Sequence, residues 1–285
     1  MTSNIASRGP GAHTGAAAIT PDQAEAAARL LWSHRESGRS IEALPAHLRP
    51  ADAASGHAIQ TWLPAVTGRP VVGWKIAATS AAGQAHIGVS GPLAGRVLAG
   101  QVLADGDALS LAGNLMRVAE PEFAFRFGQA LAPRTTPYTV DEVLDAVDAL
   151  LPSIEEPDSR FTDFARAGEA QLIADDACAR RFVIGSAERV DWRALDLRTH
   201  RVSARVLGAD GAVRIAREGD GSVVLGDPRV ALTWLVNELS TLGVALEPGQ
   251  WVSTGTCMVP LPVQPGDRVE VDYGVLGRVS ARFTA

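Results

Sequence analysis

A pair of carboxylates separated by one residue, Glu120-Pro121-Glu122, is the strongest local chemical signal in the chain. In an extended segment, residues two apart project to the same face, so both side chains would point together. Side by side they repel unless a cation or a shared proton relieves them. A hard divalent cation with oxygen ligands, such as Mg²⁺, is the simplest partner. The structural alternative is a solvated acidic edge, since Pro121 suggests an edge strand or a bulge. A second acidic stretch, Ile154-Glu155-Glu156-Pro157-Asp158-Ser159-Arg160, follows a helical pattern and a short apolar run. That places it at a strand end, where site residues commonly lie. Glu155 could complete a three-carboxylate site with Glu120 and Glu122. Three carboxylates overbalance a 2+ ion by one charge, so a nearby cation is expected, with Lys75 or Arg160 as candidates. Asp158 and Arg160 read equally well as a local ion pair stabilising a turn; exposed pairs contribute only ~0–1 kcal/mol.

The 26 basic residues include a single lysine, Lys75. In a chain this rich in Ala and Arg, arginine stands wherever either cation serves. Arg keeps its charge at any working pH, whereas Lys shifts its pKa readily when buried. Lys75 is therefore a candidate proton-transfer group, with a purely structural ammonium as the alternative. Ala174-Asp175-Asp176-Ala177 reads as a helix start or a site loop. Thr254-Gly255-Thr256 offers hydroxyls and bare backbone, suited to a carboxylate or to a turn. The six histidines show no ligand spacing, and His86 reads as a structural residue. There is no nucleophile elbow, P-loop or dinucleotide fingerprint.

These residues need a folded frame. With 46% hydrophobic and 20% charged residues in 285, the composition is globular and excludes disorder as the main state. The length suits one large domain or two small ones. A formal charge of −6 argues against general nucleic-acid binding, which needs basic surface. No apolar run approaches the roughly 18–20 residues of a membrane span. Residues 1–18 lack the apolar stretch of a signal peptide. Cys178 and Cys257 make neither a disulfide framework nor a zinc site, so a reducing cytoplasm is the expected compartment.

Residues 1–18 read as a flexible tail and 19–70 as a small helical part. Thr20, Pro21 and Gln23 form a capped helix start, and that helix should stop near Gly38. A second helix is expected over 51–63, ending at Pro64. Residues 71–285 read as a catalytic β-rich domain. Strands are expected over 71–78 and 117–127, with short extended pieces over 88–102. A helix over 139–151 should precede a short strand over 151–155. A hairpin is expected over 202–206 and 212–215, a helix from Asp227-Pro228 to Leu242, and a closing hairpin over 268–272 and 278–283. Strands with few helices give an α+β chain with a mostly β core.

Taken in order, these pieces resemble the 2-oxopent-4-enoate (2-hydroxypenta-2,4-dienoate) hydratase family of the fumarylacetoacetate hydrolase superfamily. The matching stretches are Gly73-Trp74-Lys75-Ile76 with Thr79-Ser80; Glu120-Pro121-Glu122; Ile154-Glu155 with Asp158-Ser159-Arg160; Ala174-Asp175; and Thr254-Gly255-Thr256 before Pro265-Gly266-Asp267. The resemblance spans about residues 20–285. It implies a fumarylacetoacetate hydrolase-type, mostly β core behind a small helical N-terminal part. It implies Mg²⁺ or Mn²⁺ held by Glu120, Glu122 and Glu155, and Lys75 at the site as an acid/base group; burial and the metal are expected to lower its pKa. Asp158, Arg160 and Asp175 would be catalytic-site groups, and Thr79, Ser80, Ser159, Thr254, Gly255 and Thr256 substrate contacts. Homo-oligomers are implied as well.

The implied activity is a metal-dependent hydratase. It would add water to a 2-hydroxy-2,4-dienoate, through its 2-oxo form, to give a 4-hydroxy-2-oxo acid, as in meta-cleavage degradation of aromatic compounds. The main alternative is a 4-oxalocrotonate-type 2-oxo acid decarboxylase. An acylpyruvate C–C hydrolase and a non-catalytic partner protein follow. The chain lacks the Asn-Tyr-x-x-His stretch of the hydrolase branch. It also departs from the family pattern at Ala77-Ala78, Gly91-Pro92-Leu93-Ala94-Gly95 and Glu156-Pro157. These departures border the implied pocket and bear on the substrate's tail more than on the chemistry.

Overall fold

Alternating apolar residues along the chain build two sheets that pack face to face. The computed structural model describes residues 19–285, and the expected tail over 1–18 lies outside the described residues. The helices are α1 (Pro21–Ser37), α2 (Ala53–Gln60), α3 (Leu63–Thr67), α4 (Ala81–Ile87), α5 (Val140–Asp145), α6 (Glu169–Ala174) and α7 (Pro228–Thr241). The strands are β1 (Val71–Ala77), β2 (Leu93–Leu98), β3 (Val102–Ala104), β4 (Ala108–Ser110), β5 (Val118–Phe127), β6 (Val147–Glu156) and β7 (Arg181–Ile184). They continue with β8 (Arg201–Leu207), β9 (Val213–Asp220), β10 (Trp251–Thr256), β11 (Leu261–Pro262), β12 (Arg268–Asp272) and β13 (Arg278–Thr284). The first sheet runs β2-β1-β10-β5-β6-β7-β3, with β11 also on β5; the second runs β4-β13-β12-β8-β9. Among the described residues, no helix is long and apolar enough to cross a membrane.

Phe123, Phe125 and Phe127 alternate along β5 and are fully buried. They join Val202, Val206, Val269 and Val271 of the second sheet, and Leu232 and Leu235 of α7, in one core. The opposite face of β5 is thereby left to Glu120, Glu122 and Ala124, because side chains alternate along a strand. A second apolar cluster, including Ala27, Leu31, Ile59, Phe161 and Leu172, lies under the N-terminal helices.

Helix α1 begins with the expected capping box, Thr20 and Gln23 bonding reciprocally, and ends on Gly38 at φ 65°. Pro64, expected to end a helix, instead sits in the first turn of α3, where its missing N–H costs nothing. The helix expected over 139–151 stops after one capped turn and Asp145. From Val147 the chain extends into β6, pairing with β5 from Phe127 to Glu120; burial against a long neighbouring strand overrides helical spacing. Helix α4 was not expected. Ser80 caps it by accepting from Gly83 N, and none of its residues is buried.

The turn after α6 is strained. Asp176, Ala177 and Cys178 have φ of 58°, 49° and 64°, left-handed values that cost non-glycine residues on the order of 1–3 kcal/mol each. Two bonds hold it: Arg96 N donates to Asp176 Oδ1 at 2.7 Å, and Lys75 Nζ donates to the Ala177 carbonyl at 2.9 Å. Burial pushes the Asp176 carboxyl up to about 7, against the Arg96 N–H and the Arg35 and Arg96 charges. The folded chain thus retains a proton that the unfolded chain releases, and stability drains as pH rises from about 4 to about 7. Asp176→Asn keeps the acceptor without the charge. It should raise stability by about 1–3 kcal/mol at pH 8 and by far less at pH 5. Thermal denaturation at both values checks this, and an equal difference at the two would refute it.

Candidate active site

Strand register brings the acidic residues together. Glu120 lies directly opposite Glu155 across the antiparallel β5–β6 pair, and Glu122 lies opposite Ser153. On the other side of β5, Ser253 of β10 faces Ala124, and Lys75 of β1 is level with Ser253. All these side chains share one face of the sheet. Glu120, Glu122 and Glu155 each offer an oxygen within 4.8 Å of the others. Lys75 Nζ lies 3.1 Å from Glu155 Oε1.

The three carboxylates are anchored differently. Glu122 Oε2 accepts from Ser253 Oγ at 2.5 Å and from Gly255 N at 3.0 Å. Its carbonyl accepts from Ser153 Oγ at 2.9 Å. Gly255 has φ 96° where the β10 register breaks, and a Cβ there would collide with the Thr79 side chain. Glycine is therefore required for this N–H to reach Glu122. Glu155 is fully buried; Lys75 meets its Oε1 at 3.1 Å, and its Oε2 has no hydrogen-bond partner. A buried carboxylate in that condition is costly unless a cation meets it. Three carboxylate oxygens around one point are a hard donor set, suited to Mg²⁺ or Mn²⁺. The residues present therefore fit a divalent cation.

Titration follows the same crowding. Burial raises the Glu155 carboxyl well above its ordinary range; Lys75 opposes this, and Glu122 and Glu120 add to it. Burial and then Glu122 push Glu120 up to about 7, against Lys75. Burial also raises Glu122, despite Lys75 and the bonds from Ser253 and Gly255. For Lys75, burial acts downward, but Glu155, Glu120, Cys178 and Glu122 together outweigh it. The net shift among the protein's own groups is upward; the lowering expected from sequence includes the charge of a divalent cation beside the ammonium. Lys75 is held as an ammonium by the carboxylates it balances.

A cavity of about 580 Å³ opens over this cluster, lined by Lys75, Glu120 and Glu122 and, of the expected substrate contacts, by Thr79, Ser80, Gly255 and Thr256. Ala77, Ala78 and Pro157, where the sequence departs from the family pattern, also line it. Thr254 does not; its Oγ1 donates to the Phe123 carbonyl at 2.9 Å. Asp158, Ser159, Arg160 and Asp175 do not line the cavity either. They form a buried network in which Ser159 Oγ and Arg160 N donate to Asp175 Oδ2 at 2.8 and 2.6 Å. Arg160 pairs with Asp158, and Leu115 N donates to Asp158 Oδ1 at 2.8 Å. Arg35 of α1 reaches Asp175 Oδ1 at 3.1 Å and the Ala179 carbonyl at 2.6 Å. The network ties α1 and the segment after β6 to the strained turn that offers Ala177 O to Lys75.

Three contributors went unread in the sequence. Ser253 differs from its neighbours only in facing the site. Arg35 is one arginine among many. The Ala177 carbonyl carries no side-chain signal at all. His86, read as structural, lines the cavity rim edge-on to Phe164, with ring centroids 5.8 Å apart.

No family model matches the chain. It is 33% identical over 264 residues to 2-keto-4-pentenoate hydratase 1 of Dechloromonas aromatica (strain RCB), covering 91% of this chain and 96% of that one. It is 33% identical over 217 residues to 4-oxalocrotonate decarboxylase of Pseudomonas sp. (strain CF600), covering 76% and 78%. Its structure is similar to that of 4-oxalocrotonate decarboxylase from Pseudomonas putida G7 complexed with magnesium and adipate. The TM-score is 0.80, with 27% identity and coverage of 93% and 98%. With these identities spread over nearly its whole length, and the shared fold carrying an acidic cluster, the chain belongs to the family of 2-keto-4-pentenoate hydratases and 4-oxalocrotonate decarboxylases.

Proposed function

We propose that the chain is a metal-dependent hydro-lyase acting on a 2-hydroxy-2,4-dienoate and yielding a 4-hydroxy-2-oxo acid. The observation that supports it best is the convergence of Glu120, Glu122 and Glu155 beside the lone lysine, within a chain of this family. Decarboxylation of a 4-oxalocrotonate-type substrate is the second reading, favoured by the relatives of that name and using the same cluster. A cytoplasmic location and a homo-oligomeric state belong to the proposal.

Glu120, Glu122 and Glu155 would hold Mg²⁺ or Mn²⁺. When bound, such a cation supplies a Lewis acid that polarises the carboxylate and C2 oxygen of a 2-oxo acid. Lys75 Nζ places a positive charge and a transferable proton beside the developing C2 oxyanion. The enol proton of the diene leaves O2 and a proton arrives at C5, giving a conjugated 2-oxo-3-enoate. Water then adds its hydroxyl at C4 and its proton at C3. Ser80 Oγ accepts from Gly83 N at 3.0 Å, which leaves its O–H to donate to the substrate carboxylate from the cavity wall. Thr256 instead spends its O–H on the Met258 carbonyl at 2.9 Å. Glu122 lines the cavity and Asp175 does not, so Asp175 is not the carboxylate that activates water. Asp158, Arg160 and Asp175 act as positioning residues in this reading.

With Mg²⁺ present, freshly made 2-hydroxypenta-2,4-dienoate should lose its diene absorbance, and 4-oxalocrotonate should release little CO₂. Turnover of neither would leave a non-catalytic role. Glu155→Gln should weaken Mn²⁺ binding by about tenfold or more, measured by calorimetry on the folded variant; unchanged affinity would remove Glu155 from the ligand set. Lys75→Arg keeps the charge but loses the tunable proton. Its kcat should fall by roughly 10²–10⁴-fold while Mn²⁺ affinity stays near that of the parent. A parental rate would exclude Lys75 from proton transfer.

A further inference from the structure

We infer that this site selects a substrate with an apolar tail, an alkyl or aryl group beyond C5, over one ending in a second carboxylate. The inference rests on the proposed activity at the same cavity and names its substrate class. Away from Lys75 and the carboxylates, the wall is built from side chains such as Leu93, Met116, Phe164, Leu172, Met258 and Val259. Although the chain holds 26 basic residues, no arginine among the described residues lines the cavity; the basic lining residues among them are Lys75 and His86. Lys75 is already committed, 3.1 Å from Glu155 and 2.9 Å from the Ala177 carbonyl. His86 is exposed at the rim against the Phe164 ring.

A distal carboxylate entering this wall would give up water and, among the described residues, meet no uncommitted cation, which is strongly unfavourable. An alkyl or aryl tail would gain from the same move. Size points the same way. Cavities of roughly 300–1,000 Å³ enclose drug-sized ligands, so a five-carbon acid leaves much of the 580 Å³ here unfilled. The mouth is apolar too, with Val259 at 67% and Val223 at 36% exposure.

Two measurements on the full, Mg²⁺-loaded chain test this. In calorimetric titrations with unreactive 2-oxo acids, 2-oxooctanoate should bind at least about tenfold more tightly than 2-oxoadipate. In the hydration assay, a dienoate with a butyl group at C5 should exceed the unsubstituted one in kcat/KM by a similar factor, and one with a carboxylate there should be poorest. Equal or tighter binding of 2-oxoadipate, or preference for the dicarboxylate diene, would overturn the inference while leaving hydration standing. Tighter binding of 2-oxooctanoate with no diene consumed would uphold the apolar tail and sink the hydratase reading instead.

Discussion

Mutual repulsion among three crowded carboxylates, Glu122 and Glu155 buried and Glu120 half-buried, is the constraint around which the site is built. Glu120, Glu122 and Glu155 are drawn into one patch by strand register, which no side-chain preference can relax without breaking the β5–β6 ladder. One ammonium at 3.1 Å offsets part of the charge. The hydrogen bonds to Glu122 offset a little more, and Glu155 receives none. The raised carboxyls and the raised ammonium are two faces of that imbalance. A 2+ ion would bring the sum of three carboxylates and one lysine to zero. Neutrality of that kind lets a charged cluster persist away from bulk water.

Holding the ammonium in place requires structure far from the strands. Lys75 needs a second acceptor, and the Ala177 carbonyl provides it only because three successive residues adopt left-handed backbone. That strain is offset by Arg96 bonding Asp176 and, behind the turn, by the network of Arg35, Asp158, Ser159, Arg160 and Asp175. Removing one partner from such a network leaves an uncompensated buried charge. Residues that never touch the cavity therefore govern where Nζ sits.

This division explains what could be read along the chain. Glu120 and Glu122 were legible because strand alternation turns an i, i+2 spacing into a shared face. Lys75 was legible because it stands alone among arginines. The capping boxes at Thr20 and Thr139 marked helix starts, and Asp227-Pro228 marked another. Register was not legible: β6 begins inside an apparent helix, and its pairing with β5, not its composition, decides where the helix ends. Asp158, Arg160 and Asp175 have the residue types of a site, yet their charges are consumed by one another. Whether a charge faces a cavity or a partner depends on packing between distant segments, here α1 against the turn after α6.

The contrast between the two halves of the cavity follows from the same electrostatics. The floor gathers every charge the chain places there, and each is balanced within the cluster or by a cation it can hold. Among the described residues nothing is left over to reach outward, so the walls carry no compensating charges and are built as an extension of apolar core, with Leu93 and Leu172 shared between the cavity and the cluster under the N-terminal helices. An apolar wall also lowers the local dielectric around the floor, which strengthens each attraction there and raises the penalty for any unpaired charge. Specificity for the tail and stabilisation of charge at the head thus have a common origin in where this chain spends its few inward-facing ionisable residues.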